Sequence, residues 1–448
     1  MLEPRISRRG FVTATAAAGA GLAVVPHHVL GGPRHRAPSD TLNVAHIGVG
    51  GMGGGDVRGI AGTEENIYAL CDVDENQAAG SWGAFPLAKR YRDFRVMLER
   101  EADNIDAVVI STPDHTHAAA GMMALSLGLP TRIQKPLAPT IWEVRELMRA
   151  ARAAGVATQM GNQGHAEDGT RQIREWYEAG AIGAIERVEY WTNRPIWPQA
   201  INRPTEAHHA PPWMEWDLWL GPAADRPYHP AYAPFNWRGW WDFGTGALGD
   251  IACHAMDAAF WALDLGTPAR VSAESTTLFP ETAPAASRIE YDFPARGGRP
   301  AVHVVWRDGS LSPPRPEEVG GDTRWPTESS GQLWIGTDGK LFAGIYGENP
   351  RLLDPARDAE IRANPPPEKY PRTGGVYAEF VSACKDGPAA GSNFPEHAGP
   401  LTEMVLLGNL AVRSARELEL DPATGEIVNG VSIPEPYVRA PYRSGWGW

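Results

Sequence analysis

The chain has 448 residues, of which 43% are hydrophobic, and it carries a formal net charge of −13. A chain of this length can form two domains with separate cores, and its negative charge argues against nucleic acid or an anionic membrane surface as a partner. The three cysteines, Cys71, Cys253 and Cys384, form no C-x-x-C pair, which argues against a zinc ribbon or a disulfide framework.

The first 40 residues differ in character from the rest of the chain. Residues 7–11, Ser-Arg-Arg-Gly-Phe, match a twin-arginine signal, and a mildly apolar run rich in alanine and glycine follows them. That run is too short and too weakly apolar for a transmembrane helix. We therefore predict that residues 1–40 are a signal and linker, that the folded protein is exported to the periplasm, and that no membrane span remains once the signal is removed. A retained anchor and a basic disordered N-terminus are the alternatives.

Residues 42–72 have the pattern of a dinucleotide-binding unit. An apolar run over 42–49 leads into residues 48–53, which fit G-x-G-x-x-G, and a second apolar run over 67–71 ends on Asp72. The glycines permit a tight turn, close approach of a pyrophosphate and close packing of helix on strand, and the following helix N-terminus attracts phosphates. The Asp72 carboxylate would accept hydrogen bonds from ribose hydroxyls and repel a 2′-phosphate, so we predict NAD rather than NADP. The predicted cofactor-binding residues of this unit are Gly48, Gly50, Gly51, Met52, Gly53 and Asp72.

Helical and strand-like segments alternate as far as residue 160. The predicted elements are a helix over 88–102, a strand over 106–111, a helix over 118–127, a strand over 130–134, a helix over 140–154 and a strand over 156–160. This alternation predicts a parallel sheet with helices on both faces, a Rossmann domain over residues 41–160. Ligands bind beyond the carboxyl ends of such strands, where Thr112, Pro113, His117 and Lys135 fall. We predict that these four residues contact the cofactor.

The remaining residues, 161–448, predict a second domain of the α+β class. A helix over 167–179 and a strand over 185–192 precede a tryptophan-rich segment, residues 194–243, which we interpret as a binding loop because it is long and lacks periodicity. A helix over 246–265 follows it. The later predicted elements are strands over 269–279, 287–293, 301–307, 332–336 and 340–346 and helices over 376–384 and 398–416. Together they predict a large, open, mostly antiparallel sheet with C-terminal helices.

Three residues are candidates for catalysis: Lys135, Asp250 and His254. Asp250 and His254 are four residues apart in a predicted helix, so they share one face. Lys135 is one of only five lysines in the chain and follows a predicted strand. Each also has a plain structural explanation. Asp250 and His254 could form a hydrogen bond on the helix surface, and Lys135 could be a solvated loop residue.

These motifs together resemble the glucose–fructose oxidoreductase, inositol dehydrogenase and rhizopine-catabolism family (Gfo/Idh/MocA). The matching pieces, in family order, are 48–53 with Asp72, Thr112-Pro113 with His117, Gln134-Lys135-Pro136, and Gly246-Ala-Leu-Gly-Asp-Ile-Ala-Cys-His254. The resemblance implies a Rossmann domain and an open-faced sheet, with the substrate between them beside the nicotinamide. It also implies homo-oligomerisation through the outer face of the sheet.

Two departures from the family pattern bear on the site. Gln134 stands where the family usually has Glu, which should alter the charge near Lys135. Residues 161–165, Gly-Asn-Gln-Gly-His, replace the common G-x-x-R stretch. With its export signal, its many tryptophans and its Gln-Lys-Pro motif, the chain resembles secreted members more than cytosolic inositol enzymes. It is also similar to the NAD-dependent glycosidases built on this fold.

The candidate residues suit oxidation of a secondary alcohol. His254 would accept the hydroxyl proton, because an imidazole titrates near working pH, and Asp250 would orient it or bind a hydroxyl. Lys135 would stabilise the developing alkoxide. The predicted substrate-binding residues are His165, Trp237, Arg238 and Trp240. The tryptophans, including Trp241, could stack on a sugar ring or could instead pack in the core. His117 and His165 could line the pocket or could instead have a structural role.

We therefore predict an exported NAD-dependent oxidoreductase that acts on a sugar, cyclitol or glycoside hydroxyl, with tightly bound NAD. One alternative is a glycosidase or lyase in which NAD is reduced transiently and regenerated. A second is a non-catalytic sugar- or nucleotide-binding protein. A metal site formed by His165, Asp250 and His254, with or without His115, has suitable ligand types, but no spacing requires it, so we predict none.

Overall fold

Six parallel strands form the first sheet. The computed structural model describes residues 40–206, 208–320, 324–326 and 328–448, so the predicted twin-arginine signal lies outside the described residues. The strands run in the order β3-β2-β1-β4-β5-β6. They are β1 Asn43–Ile47, β2 Asn66–Cys71, β3 Lys89–Tyr91, β4 Ala107–Ile110, β5 Thr131–Ile133 and β6 Thr158–Met160. The strand order and the pairing are those of a Rossmann sheet.

Helices connect these strands. They are α1 Gly51–Ala61, α2 Glu75–Ala84, α3 Phe94–Glu101, α4 His117–Ser126 and α5 Ile141–Ala154. The predicted helix over 88–102 is wrong in its first part, because Lys89–Tyr91 pairs as an edge strand with β2. Asp93 then caps α3 by accepting from the Arg95 backbone N–H at 2.9 Å. A three-residue strand is too short to show a period of two.

The second sheet has eight strands in the order β13-β12-β11-β7-β10-β9-β8-β14. Within the described part of the chain, β7 and β10 are the one parallel pair of this sheet, and the other pairs are antiparallel. The strands are β7 Ile185–Trp191, β8 Arg270–Ser275, β9 Ser287–Phe293, β10 Val302–Arg307, β11 Gly331–Gly336, β12 Gly339–Ala343, β13 Arg351–Leu352 and β14 Leu418–Glu419. The predicted fold class, a Rossmann domain and a largely antiparallel open sheet, is confirmed.

Eight helices accompany this sheet in the described part of the chain. They are α6 Asp168–Glu178, α7 Trp216–Leu220, α8 Gly246–Ala255, α9 Asp257–Ala262, α10 Pro355–Ala363, α11 Val376–Cys384, α12 Gly399–Ser414 and α13 Glu435–Val438. The helix predicted over 246–265 is therefore two helices, divided at Met256. Helix α12 packs on α8, α5 and the second sheet, and α11 packs on α1. One hydrophobic core consequently runs through both sheets.

The tryptophan-rich segment has little regular structure, as predicted, but it has a core of its own. Met214, Trp219, Tyr232, Trp240 and Phe243 are buried against one another. Among the described residues, no helix is both long enough and apolar enough to cross a membrane.

Candidate active site

The glycine turn adopts a conformation that side chains would prevent. Gly48 has φ +78°, and a Cβ there would lie 2.7 Å from the Ser111 carbonyl oxygen. A Cβ on Gly53 would lie 2.0 Å from the Gly48 carbonyl oxygen, so α1 can approach β1 only with glycine at that position. Space beside Gly51 is open, and Met52 is half exposed. The backbone N–H groups at the start of α1 are thus accessible to a phosphate.

Asp72 follows β2 and holds this turn. Its carboxylate accepts from the Val49 backbone N–H at 2.8 Å and from the Asp74 backbone N–H at 2.9 Å. Burial raises the pKa of Asp72 to about 6. Asp74 has a different role, because its side chain caps α2 by accepting from the N–H groups of Asn76 and Gln77.

A cavity of about 250 Å³, which we call the cofactor cleft, begins at this turn. The predicted cofactor residues that line it are Gly48, Gly50, Gly51, Met52, Asp72, Thr112, Pro113 and Lys135. The tryptophan-rich segment supplies the opposite wall through Trp219, Phe235, Trp237 and Arg238. The cleft therefore lies between the Rossmann sheet and a segment of the second domain.

The tryptophan-rich segment is fixed to the Rossmann domain beside Asp72. The Glu75 backbone N–H donates to the Trp213 carbonyl oxygen at 3.0 Å, and the Glu215 N–H donates to the Val73 carbonyl oxygen at 2.9 Å. Arg92 forms ion pairs with both Glu75 and Glu215. These contacts close the segment over the Asp72 end of the cofactor cleft.

Lys135 and Asp250 meet at the other end of the cleft. Lys135 Nζ lies 2.7 Å from Asp250 Oδ1, and Arg238 Nε lies 3.4 Å from the same oxygen. Burial alone would raise the pKa of Asp250, but the neighbouring charges of Lys135 and Arg238 outweigh it and the pKa is lowered. The site therefore holds an ionised carboxylate between two cations.

His117 positions the lysine loop and does not line the cleft. Its Nδ1 lies 2.8 Å from the Pro136 carbonyl oxygen and its Nε2 lies 3.0 Å from the Thr112 carbonyl oxygen. The ring is fully buried, and burial lowers its pKa to about 4. Both ring nitrogens face backbone that joins the two cleft-lining loops, and the direct contact of His117 with the cofactor stays a prediction.

His254 lies one turn after Asp250 on α8 and is buried. Its ring meets the Tyr346 ring edge-on, with 4.7 Å between the centroids, and among the described residues its Nδ1 has no hydrogen-bond partner. Burial, and then the charge of Lys135, lower the pKa of His254 to about 3. The imidazole is therefore neutral at physiological pH, and the same surroundings make it a weak base.

Asp114 and Tyr346 belong to the site, although the sequence reasoning missed them. Asp114 lines the cleft and accepts from the Thr245 hydroxyl at 2.7 Å. Burial raises its pKa to about 7, against the opposing effect of Lys135. The position of Asp114 at the carboxyl end of β4 was a usable signal. No sequence pattern marked Tyr346, which follows β12 and reaches His254 from the second sheet.

Two of the four predicted substrate-binding residues are placed elsewhere. Trp240 is fully buried, and its indole N–H donates to the Ala231 carbonyl oxygen at 2.9 Å. His165 is buried with its Nδ1 3.0 Å from Asp257 Oδ1. These side chains are used for packing and internal hydrogen bonds, and their contact with a substrate stays a prediction. Trp237 and Arg238 do line the cleft, with the guanidinium 4.4 Å from the ring centroid.

The histidines of the alternative metal site do not converge. The ring nitrogens of His115 lie 2.9 Å from the Trp219 carbonyl oxygen and 3.3 Å from that of Phe243. Within the part of the chain that the structure describes, the group with metal-ligand spacing is instead His165, Asp257 and His397, whose donor atoms lie within 4.8 Å of one another. Asp257 already accepts hydrogen bonds from both imidazoles and from Asn162.

Two family models match the chain. Residues 42–162 match a model described as "Oxidoreductase family, NAD-binding Rossmann fold", and residues 187–299 match one described as "Oxidoreductase family, C-terminal alpha/beta domain". Together they cover more than half of the chain. The prediction of an NAD-binding domain is thereby confirmed.

Curated relatives match part of the chain. A D-apiose dehydrogenase of Paraburkholderia graminis is 31% identical over 126 residues, 28% of this chain and 32% of that protein. An inositol 2-dehydrogenase of Renibacterium salmoninarum is 29% identical over 150 residues, 32% of this chain and 44% of that protein. The chain thus matches less than half the length of these relatives.

Solved structures share the fold at low sequence identity. The WlbA dehydrogenase from Bordetella pertussis, in complex with NADH and UDP-GlcNAcA, superimposes with a TM-score of 0.59 at 16% identity, covering 85% of this chain and 99% of that one. A levoglucosan dehydrogenase in complex with NADH and L-sorbose gives a TM-score of 0.57 at 17% identity, covering 85% and 98%. At these identities the likeness shows the fold alone.

Proposed function

Because the chain belongs to the Gfo/Idh/MocA oxidoreductase family, we propose that it oxidises a secondary hydroxyl of a sugar, cyclitol or glycoside with NAD. The observation that carries the proposal is the Lys135–Asp250 pair of 2.7 Å at one end of the cofactor cleft, with His254 one helical turn away. The partial relatives point to the same substrate class, since one is named for apiose and the other for inositol.

The cleft residues fit NAD better than NADP. Asp72 lies at the end of β2, where its charge would repel a 2′-phosphate. Arg92, the basic residue that lines this end of the cleft, is neutralised by Glu75 and Glu215. The open glycine turn leaves room for the pyrophosphate. When bound, NAD supplies the hydride acceptor.

The residues around Lys135 can carry out the proton chemistry of alcohol oxidation. The Lys135 ammonium, held by Asp250, donates to the substrate oxygen and stabilises the alkoxide that forms as the hydroxyl proton leaves. The neutral His254 imidazole is the proposed acceptor of that proton, and because its burial lowers its pKa to about 3 it is a weak base for this step. Arg238 keeps Asp250 ionised and presents a polar wall to the substrate, while Trp237 supplies an apolar one.

We propose that the protein works outside the cytoplasm with a retained cofactor. The twin-arginine pattern at Arg8 and Arg9 supports export in a folded state. The hydrogen bonds that join residues 213–215 to residues 73–75 support slow release of NAD, because the segment over the cleft must detach first. Homo-oligomerisation through the outer face of the second sheet is part of the same proposal.

A glycosidase that recycles its NAD is the second candidate. Retention of the cofactor favours it, since a retained nucleotide must be regenerated in each turnover. Asp114 also favours it, because a buried carboxyl with a pKa raised to about 7 can carry a proton at neutral pH and give it to a leaving group.

Mass spectrometry of the purified protein for nucleotide, followed by a sugar and glycoside screen at the NADH absorbance, tests both candidates. Net NADH formation with a carbohydrate supports the oxidoreductase. Release of the aglycone without net NADH formation supports the glycosidase. Retained NAD without turnover on a broad panel would contradict both and support a binding protein. Signal cleavage and localisation are checked by N-terminal sequencing of the periplasmic fraction and oligomeric state by light scattering.

A further inference from the structure

A second cavity of about 210 Å³ lies apart from the cofactor cleft. It is bounded by α12, by the start of α5 and by the C-terminal segment that carries α13. We call it the C-terminal cavity, and the side chains that matter here are Glu143, Trp241, Asp242, Arg413 and Tyr437. None of the catalytic candidates lines it.

Among the described residues, Arg413 lacks the carboxylate contact that the fully buried arginines have. Arg132, Arg171, Arg226 and Arg307 each pair with an aspartate or glutamate. Arg413 is half-buried, yet no carboxylate of the described residues lies within 4 Å of its guanidinium. Burial lowers its pKa to about 10. Tyr437 and the charge of Asp242 act in the opposite direction. A desolvated cation with no carboxylate in direct contact gains from binding an anion.

Aromatic rings orient this guanidinium. Its carbon lies 3.7 Å from the Tyr437 ring centroid and 4.9 Å from the Trp241 ring centroid. The Tyr437 side chain also acts as a hydrogen-bond partner that raises the pKa of Arg413. A guanidinium has five N–H donors, so these contacts leave donors for a further acceptor. A planar fork of N–H donors matches a carboxylate in a bidentate pair.

We propose that the C-terminal cavity binds a small organic monocarboxylate of monosaccharide size. Arg413 is the one arginine or lysine among the residues that line the cavity, so the ligand should carry a single negative charge. Glu143 and Asp242 also line it and disfavour a dianion such as phosphate, although Asp242 is itself paired with Arg226. The oxygens of Glu143 are already used by Thr140 and Tyr442. The volume is below the ~300 Å³ at the lower end of pockets for drug-sized ligands, which limits the ligand to one ring.

The cavity shares a wall with the active site. Thr245 lines it, donates its hydroxyl hydrogen to Asp114 in the cofactor cleft, and accepts from Asn409 Nδ2 at 3.0 Å through its carbonyl oxygen. Helix α8, which carries Asp250 and His254, begins at the next residue. A bound carboxylate would thus contact the segment that leads into the catalytic helix.

Isothermal titration calorimetry on the full chain with added NAD tests the proposal. The probes are D-glucuronate, D-galacturonate and D-gluconate, with D-glucose and inorganic phosphate as controls. We expect at least one acid to bind with a stoichiometry of one, and neither control to bind. Arg413→Gln should weaken binding at least about tenfold, whereas Arg416→Gln, an exposed arginine of the same helix end, should leave it within about twofold.

Two further variants separate this site from its alternatives. Lys135→Ala should retain acid binding, since Lys135 lies in the other cavity. Arg413→Lys keeps the charge but loses the fork, so a several-fold weakening is expected even if Arg413→Gln does not fold. Three results would overturn the proposal. They are no binding of any acid at 10 mM (roughly the weakest affinity that such a site would show), binding that Lys135→Ala abolishes, and a folded Arg413→Gln protein that binds the acids as tightly as the wild type.

Discussion

Gln134→Glu, which restores the residue that the family usually has, should destabilise this protein. Gln134 Nε2 donates to Asp56 Oδ2 at 2.9 Å, and both side chains are buried. Asp56 also accepts from the hydroxyls of Ser111 and Tyr377 and pairs with Arg132 at 3.3 Å. Burial would raise the pKa of Asp56, but Arg132 and these hydrogen bonds keep it below its usual value. The carboxylate that Gln134 lacks is therefore present on α1.

The expected loss in the free energy of unfolding follows from replacing a hydrogen-bond donor with a second carboxylate. Loss of a hydrogen bond to a charged acceptor costs about 1.5–3 kcal/mol, and breaking a buried charge pairing costs about 3–5 kcal/mol. We expect Gln134→Glu to reduce the free energy of unfolding by about 3–5 kcal/mol at pH 8. The new carboxyl would have a folded-state pKa above its unfolded value, so its cost grows as pH rises from about 4.3 and is smaller at pH 5.

Urea denaturation at pH 5 and pH 8 measures this loss. Gln172→Glu, at a partly exposed position on α6, is the matched control and should change stability by less than about 0.5 kcal/mol. The double variant Asp56→Asn with Gln134→Glu exchanges the amide and the carboxylate and should recover most of the loss. A Gln134→Glu protein as stable as the wild type at pH 8, or a double variant no better than the single one, would refute this reasoning.

Three further predictions concern separate parts of the molecule. Asp114→Asn should remove a carboxyl whose pKa rises to about 7 on folding. In thermal melts the variant should therefore be more stable than the wild type by an amount that grows between pH 4 and pH 7 and then levels off, at a few kcal/mol (about 1.4 per pKa unit). Thr140→Ala should cost about 1–2 kcal/mol in urea denaturation, because Thr140 and Glu143 form a capping box on α5, while Ser126→Ala at an exposed helix end should cost much less. Asp72→Ala should lower the ratio of NAD to NADP affinity at least about tenfold in calorimetry, and an unchanged ratio would contradict the assigned role of Asp72.

The features that local patterns encode were predictable from the sequence. Buried parallel strands are continuous apolar runs, and the glycine turn is a contiguous motif, so the first sheet and most of the cofactor cleft followed from them. The pair Asp250 and His254 followed from a spacing of four in a helix. Its meeting with Lys135, 115 residues away, came from the family resemblance.

Contacts between distant residues of ordinary type were not predictable. Asp56 and Gln134 are 78 residues apart, and His165 and Asp257 are 92 apart, so no spacing links them. Neighbouring tryptophans illustrate the same limit, since Trp237 lines the cleft and Trp240 is fully buried. A segment without periodicity gives no indication of which ring faces a ligand.

Reduction of bound NAD by a carbohydrate, compared between the wild type and Lys135→Ala, tests the central claim most directly. The purified protein, with NAD bound, is mixed with a carbohydrate panel and the NADH absorbance is followed. We expect reduction by at least one carbohydrate in the wild type and in Lys340→Ala, a partly exposed lysine paired with Glu318, and a rate at least about 100-fold lower in Lys135→Ala. Equal rates in Lys135→Ala and the wild type, or a protein that binds no NAD, would contradict the account.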